Sequence, residues 1–393
     1  MCKIVYICTR CFVIFVKETW FTLQDFRLIG CPEQFGSYIH NYFFVGIMSS
    51  SSDIHSRKRV LWLDAISGLL ILFMIYCHLM YWTRLDSLPF HQFLLHAFTF
   101  YMAWFFFKGG LFAKNNEKPL LTFQNSINRL IVPFVFFAVI GFAIYLVDLR
   151  LQGSYSLYPM IIRSIQFFLH RGSFYGNLPL WFLLTLFFVR MLFSWLVRFK
   201  FTDYLLALLV IVLYFLRYLD VYGIGHLFFY PYYLYNTIIG LAFYWLGYRL
   251  RQYIYNRIVL LISICCYFLL LPNINILFDF RSSISNGDFI LFFVFAIASS
   301  ILAVNFFRWL FCHPFSNRFD GLINPFRRML IHFGKKSMFY FCTHWILITI
   351  LHLAIIFPFD INNQWLKLAI YIIGLIILLP LTSRLLAKIP IRL

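Results

Sequence analysis

Long apolar runs, separated by short stretches with charges, Pro or Gly, fill the chain from residue 60 onward. A bilayer core about 30 Å thick is crossed by about 20 apolar residues in a helix, because a helix satisfies its backbone hydrogen bonds without water. The pattern predicts spans at 60–82, 93–112, 127–147, 180–197, 203–214, 228–248, 258–274, 289–310, 337–357 and 364–385. The shorter stretch 158–170, which carries Arg163, predicts an interfacial helix. We therefore expect an all-α fold, a polytopic membrane helix bundle of about ten transmembrane helices.

The composition excludes a soluble protein. Of the 393 residues, 62% are hydrophobic and 12% are charged, and the mean hydropathy is +0.82, whereas about 25% of the residues in a soluble protein are charged. Lys and Arg number 33 against 14 Asp and Glu, but no basic stripe with interleaved aromatics lies on a polar segment. We therefore expect a lipid bilayer, and no nucleic acid, as a partner. The sequence has no His and Cys cluster at metal-ligand spacing, so no metal is expected.

The basic residues also predict the orientation. With the residues before Val60 in the cytoplasm, the inside loops carry about three times as many Lys and Arg as the outside loops. Both termini of the bundle are then cytoplasmic.

Residues 1–47 do not fit the membrane domain. Their apolar run is broken by Arg10, and no small-residue cleavage site follows it. Met48 precedes a polar Ser run and three basic residues, a pattern typical of a cytoplasmic start. We interpret 1–47 as a weakly ordered extension or a mis-assigned start, and 48–393 as the integral membrane domain.

Two histidines lie within predicted spans. An ionisable side chain there costs of the order of 2.5–3.5 kcal/mol, which makes it a functional hypothesis. His78 shares one face of the first helix with Asp64 and Ser67. At 1.5 Å per residue these lie about 21 and 16 Å from His78, too far for a hydrogen-bonded triad. His344 lies about 12 Å into the ninth span. The alternative for either imidazole is a polar contact between core helices.

Five motifs in order resemble the acyltransferase-3 family of polytopic membrane O-acyltransferases. They are the first-helix pattern Asp64 to His78, the second-helix pattern Phe100 to Phe112, the Arg129-Leu130-x-x-Pro133 entry to the third helix, Leu180-Trp181-Phe182-Leu183, and Gly334-x-x-Ser337 followed by His344. The sequence of the second-helix motif most resembles the branch of the family similar to fucose 4-O-acetylases. The resemblance implies a bacterial inner-membrane enzyme with no bound cofactor. Its acyl-CoA donor would be acetyl-CoA, and its carbohydrate acceptor a hydroxyl of an exopolysaccharide, O-antigen or lipid-linked sugar.

Residue roles follow from the same resemblance. His78 is expected to act as general base, and His344 to orient the acceptor or share the proton transfer. The donor-binding candidates are Asp64, Ser67, Lys108, Arg129, Lys335 and Lys336, although ordinary loop charges are the alternative for the basic ones. Aromatic rings that could stack on a sugar include Trp104, Trp181 and Tyr232, and we count Trp181 among the substrate- or donor-binding candidates. The alternative is that these rings lie at the membrane interface, where Trp and Tyr are common.

The chain departs from the family pattern at Ser67, where the family has Arg or Lys, and at Ala103 and Lys108, where it has Pro and Ser. We hypothesise that Lys108 replaces the missing charge, because the second span returns to the side of the membrane where Ser67 lies. Two alternatives remain: a transporter or flippase of lipid-linked glycans, which predicts internal repeats that the sequence does not show, and a catalytically dead family member.

Overall fold

The computed structural model describes residues 60–114, 118–153, 157–221, 232–273, 289–312 and 317–386, which belong to one compact unit, Val60–Leu393. The interpretation of residues 1–47 and of Met48 lies outside the described residues. Within those residues the secondary structure is helical: α1 (Leu61–Thr83), α2 (Pro89–Ala97), α3 (Tyr101–Leu111), α4 (Pro119–Ser126), α5 (Val132–Leu151), α6 (Leu157–Arg171), α7 (Trp181–Leu196), α8 (Thr202–Val221), α9 (Tyr232–Leu250), α10 (Arg257–Leu270), α11 (Phe289–Cys312), α12 (Asn317–Lys335), α13 (Ser337–Leu351) and α14 (Gln364–Leu386).

Six helical segments of the described chain are long and apolar enough to cross a membrane. They are Leu61–Thr83, Pro119–Leu151, Leu178–Leu196, Phe289–Cys312, Ser337–Ile356 and Gln364–Leu386, and each coincides with a predicted span. Two further predicted spans are shorter apolar helices, at Thr202–Val212 and Arg257–Leu270, and the span predicted at 228–248 corresponds to α9. The predicted all-α polytopic membrane bundle is confirmed.

The prediction of one helix over 93–112 is wrong. α2 ends at Ala97 and α3 begins at Tyr101, with turns between them. In this break the ring of Phe98 packs 5.0 Å from that of Phe73 on α1, and Thr99 is buried. Aromatic and β-branched residues lose side-chain freedom in a helix, so tertiary packing against α1 outweighs their weak helical preference.

A basic stretch that the sequence pattern assigns to an inside loop forms α12. This helix packs extensively against α1, and glycines make the close approach possible. A Cβ on Gly68 would lie 1.9 Å from the carbonyl oxygen of Leu330, and one on Gly334 would lie 1.7 Å from that of Asp64. The backbones of α1 and α12 therefore touch directly, as small residues allow at helix interfaces.

The continuous helix α1 defines the two ends of the bundle. Asp64 and Trp82 are eighteen residues apart, about 27 Å at 1.5 Å per residue. We call these the Asp64 end and the Trp82 end. The start of α13 and the final turns of α14 meet at the Asp64 end. There the ammonium of Lys336, directly before α13, donates to the hydroxyl of Ser383, on α14, at 3.0 Å.

Candidate active site

The two histidines singled out by the sequence lie against each other. The rings of His78, on α1, and His344, on α13, stack with centroids 5.1 Å apart and planes 19° apart. The indole of Trp345 meets the His78 ring edge to face at 5.1 Å. Two ionisable groups from distant parts of the chain therefore share one site between α1 and α13.

The tautomer of His344 follows from its surroundings. Its Nδ1 lies 2.9 Å from the carbonyl oxygen of Tyr340. A carbonyl accepts only, so Nδ1 carries the proton, and Nε2 of the neutral ring holds a lone pair. His344 is fully buried, and its Nε2 has no hydrogen-bond partner among the described residues. His78 is only half-buried, so His78 is the imidazole of the pair that a substrate can reach.

A second polar cluster lies at the Asp64 end of α1. The ammonium of Lys108, on α3, lies 3.1 Å from Oδ1 of Asp64 and donates to Oγ of Ser67 at 2.9 Å. The indole N–H of Trp104 also donates to this hydroxyl, at 3.1 Å, and the hydroxyl in turn donates to the carbonyl of Leu63 at 3.0 Å. The structure thus brings Lys108 to Ser67, as the hypothesis of a relocated charge requires. The role of Lys108 in donor binding stays a prediction.

Asp64 keeps unused capacity for hydrogen bonding. Its side chain is 14% exposed and that of Lys108 is 20% exposed. Oδ2 of Asp64 is buried without a hydrogen-bond partner among the described residues. A buried carboxylate oxygen normally accepts at least one hydrogen bond, so this atom retains unused acceptor capacity. Eleven residues of α1, about 16 Å, separate Ser67 from His78.

Lys335 and Lys336 lie at the Asp64 end as well. Gly334, immediately before them, touches the backbone of Asp64. Burial, and then the positive charges of Lys336 and Lys335, lower the pKa of His332 on α12. The two ammonium groups act on His332 as like charges, which disfavour the imidazolium. Their positive charge suits an anionic ligand.

The remaining predicted residues occupy separate places. Arg129 is exposed in a π-helical turn, Ile127–Ile131, that packs on α7. Trp181 is buried at the start of α7, with its ring edge to face with that of Phe182 at 6.1 Å. The roles of Arg129 and Trp181 stay predictions. Among the described residues, no group of three His, Cys, Asp or Glu side chains could hold a metal ion.

Sequence reasoning missed Asn177. Its amide nitrogen donates to the carbonyl of Cys342, two residues before His344, at 2.9 Å. Asn177 is fully buried, and its Oδ1 has no hydrogen-bond partner among the described residues. The preceding Gly176 has φ +89° and lies against the backbone of Gly141, which fixes the loop that carries the amide. The available signal was a lone Asn directly before the apolar Leu-Pro-Leu-Trp run.

The chain matches a known protein family. The family model Acyl_transf_3, described as an acyltransferase domain, matches residues 60–384. This match confirms the resemblance that the five motifs indicate, and the closer likeness to fucose 4-O-acetylases stays a prediction. No curated protein and no solved structure matches the chain.

Proposed function

Because this chain belongs to the acyltransferase-3 family, we propose that it transfers an acetyl group from acetyl-CoA to a hydroxyl of a cell-surface carbohydrate. Acyltransferase activity in a multi-pass membrane protein is what the family match and the long apolar helices support. The observation that carries the finer proposal is the stack of His78 on His344, 5.1 Å between centroids. It pairs a reachable imidazole with a buried neutral one.

The transfer needs a base, because a sugar hydroxyl is a poor nucleophile. The hydroxyl oxygen attacks the thioester carbonyl while its proton passes to His78, a step that general-base catalysis accelerates by about 10²–10⁴-fold. The new C–O ester bond forms, the C–S bond breaks, and the proton held by His78 neutralises the departing CoA thiolate. His344 fixes the ring of His78 by stacking on it.

The donor would enter from the Asp64 end, which the charge bias predicts to be cytoplasmic. There the ammonium groups of Lys108, Lys335 and Lys336 can meet CoA phosphates, and Oδ2 of Asp64 can accept from a donor N–H or O–H. The thioester lies at the end of a long flexible arm, which would follow α1 over the roughly 16 Å to His78. The family pattern has a basic residue at the position of Ser67. In this chain the ammonium of Lys108, on α3, lies beside the Ser67 hydroxyl and provides a positive charge there, which supports an active enzyme.

The test is acetyl transfer by the purified protein in proteoliposomes. His78→Ala is expected to lower the rate about 10²–10⁴-fold, and His344→Ala to lower it as well. His96→Ala is the matched control, because His96, on α2, is a half-buried imidazole whose Nδ1 bonds the carbonyl of Gln92 at 2.7 Å. Since a protonated imidazole cannot act as base, the rate should also fall on acidification. A normal rate in His78→Ala would contradict the proposal.

A deletion strain separates the other functions. Loss of O-acetyl groups with an unchanged amount of surface glycan, measured by mass spectrometry, supports the transferase. Loss of the glycan itself would instead indicate a transporter or flippase, and an unchanged glycan would indicate a catalytically dead family member.

A further inference from the structure

Four side chains continue from the histidine pair toward the Trp82 end of the bundle. We call Trp345, Trp82, His352 and Tyr371 the Trp82 cluster. The indole of Trp345, which touches His78 at 5.1 Å, lies 5.6 Å from that of Trp82. The ring of Trp82 then lies 5.3 Å from His352 and 6.5 Å from Tyr371. Rings from α1, α13, the π-helical turn that follows α13, and α14 thus form an unbroken series that starts at the candidate base.

Two side chains of the Trp82 cluster also carry ring nitrogens that can form hydrogen bonds with a ligand. Nε1 of Trp82 is buried with no hydrogen-bond partner among the described residues, and leaving a buried N–H unpaired is costly. Nδ1 of His352 bonds the Tyr371 hydroxyl at 3.0 Å, which leaves Nε2 as the nitrogen that can meet a ligand. His352 begins a π-helical turn, His352–Ile356, and such turns are frequent at functional sites.

An interfacial aromatic belt would explain exposed Trp and Tyr residues at a membrane surface. The Trp82 cluster differs from such a belt, because Trp345 is 5% exposed and Tyr371 is 0% exposed. Trp365, at the start of α14 near the same end, is 60% exposed and shows what a belt residue looks like in this protein. The cluster is therefore built into the helix bundle, and only Trp82 and His352 are partly exposed.

We infer that the Trp82 cluster is the binding site for one pyranose ring of the acceptor. This inference rests on the proposed function, which requires a sugar hydroxyl next to His78. The C–H face of a pyranose packs on an indole ring, while its hydroxyl rim can accept from Nε1 of Trp82 and bond Nε2 of His352. A sugar held there presents a hydroxyl to His78, and it does so from the end opposite the predicted donor entry.

The first test measures sugar binding without turnover. The full chain in nanodiscs is titrated with methyl α-L-fucopyranoside and with methyl α-D-glucopyranoside, and saturation-transfer difference NMR reports which ring protons contact protein. We expect saturation transfer to at least one glycoside in the wild type and in Trp365→Phe, and its loss or weakening in Trp82→Phe, which keeps a ring but removes the N–H. His352→Gln serves as a second variant if Trp82→Phe fails to fold. Equal saturation transfer in the wild type and both variants, or none to either glycoside in the wild type, overturns the inference.

The second test measures transfer. Trp82→Phe is expected to raise KM for the glycoside about two- to tenfold, the effect of one lost hydrogen bond, while KM for acetyl-CoA changes little. If the wild type and Trp82→Phe show the same KM for the glycoside, the subsite is wrong although the transferase proposal stands. If the wild type consumes no acetyl-CoA but glycoside binding still depends on Trp82, the subsite stands and the proposed function fails.

Discussion

The ion pair between Lys108 and Asp64 offers a quantitative test of the relocated charge. Lys108→Met keeps the length of the side chain but leaves the Asp64 carboxylate, 14% exposed, without its cation. Removing one partner of a buried pair costs about 3–5 kcal/mol, and an exposed pair contributes only about 0–1 kcal/mol. Because Lys108 is itself 20% exposed, we expect the free energy of unfolding to fall by about 2–3 kcal/mol.

Two double variants separate the effect on stability from the effect on donor binding. Lys108→Met with Asp64→Asn removes both charges, so most of the lost stability should return. The relocated variant, Ser67→Lys with Lys108→Ser, moves the ammonium back onto α1 at the same carboxylate. If the charge binds a donor phosphate, Lys108→Met should raise KM for acetyl-CoA about ten- to a hundredfold, the effect of one charge-assisted hydrogen bond. The relocated variant should then recover much of this loss.

The assays are thermal unfolding of the purified protein in detergent and initial rates at varied acetyl-CoA. Arg249→Met is the matched control for stability. Arg249 pairs with Asp203, but these side chains are 47% and 38% exposed, so we expect a change of at most about 1 kcal/mol. If Lys108→Met is as stable as Arg249→Met, the argument from burial is wrong. An unchanged KM for acetyl-CoA in Lys108→Met would refute the role of Lys108 in donor binding.

Two further substitutions test the packing that holds the histidine pair. Gly334→Ala should cost about 1–3 kcal/mol, because its Cβ would lie 1.7 Å from the carbonyl oxygen of Asp64 and force α1 and α12 apart; an unchanged unfolding temperature would contradict this close approach. Asn177→Leu removes the hydrogen bond to the carbonyl of Cys342, so we expect a loss of about 0.5–1.5 kcal/mol and slower acetyl transfer, which Asn177→Ser should partly restore. Equal rates in wild type and Asn177→Leu would show that this amide does not position α13.

Local physics determined much of the fold. A helix in a bilayer must satisfy its own backbone, so apolar length alone predicts most of the helices found. The spacing of Asp64, Ser67 and His78 on one helix is equally local, and because α1 is continuous, their predicted separation holds. The family could be predicted for a related reason: its motifs are short runs, such as Leu180-Trp181-Phe182-Leu183, that each lie within one segment.

Helix-to-helix contacts were decided only in the tertiary structure. Lipid tails are as apolar as a helix face, so hydropathy carries no information on which faces meet, and packing and polar contacts choose them. The pairing of His78 with His344, the reach of Lys108 to Ser67, and the break between α2 and α3 all depend on such contacts. The sequence by itself therefore determined the class of protein and the residues with chemistry, while the packing of α1 against α3, α12 and α13 determined which of those residues act together.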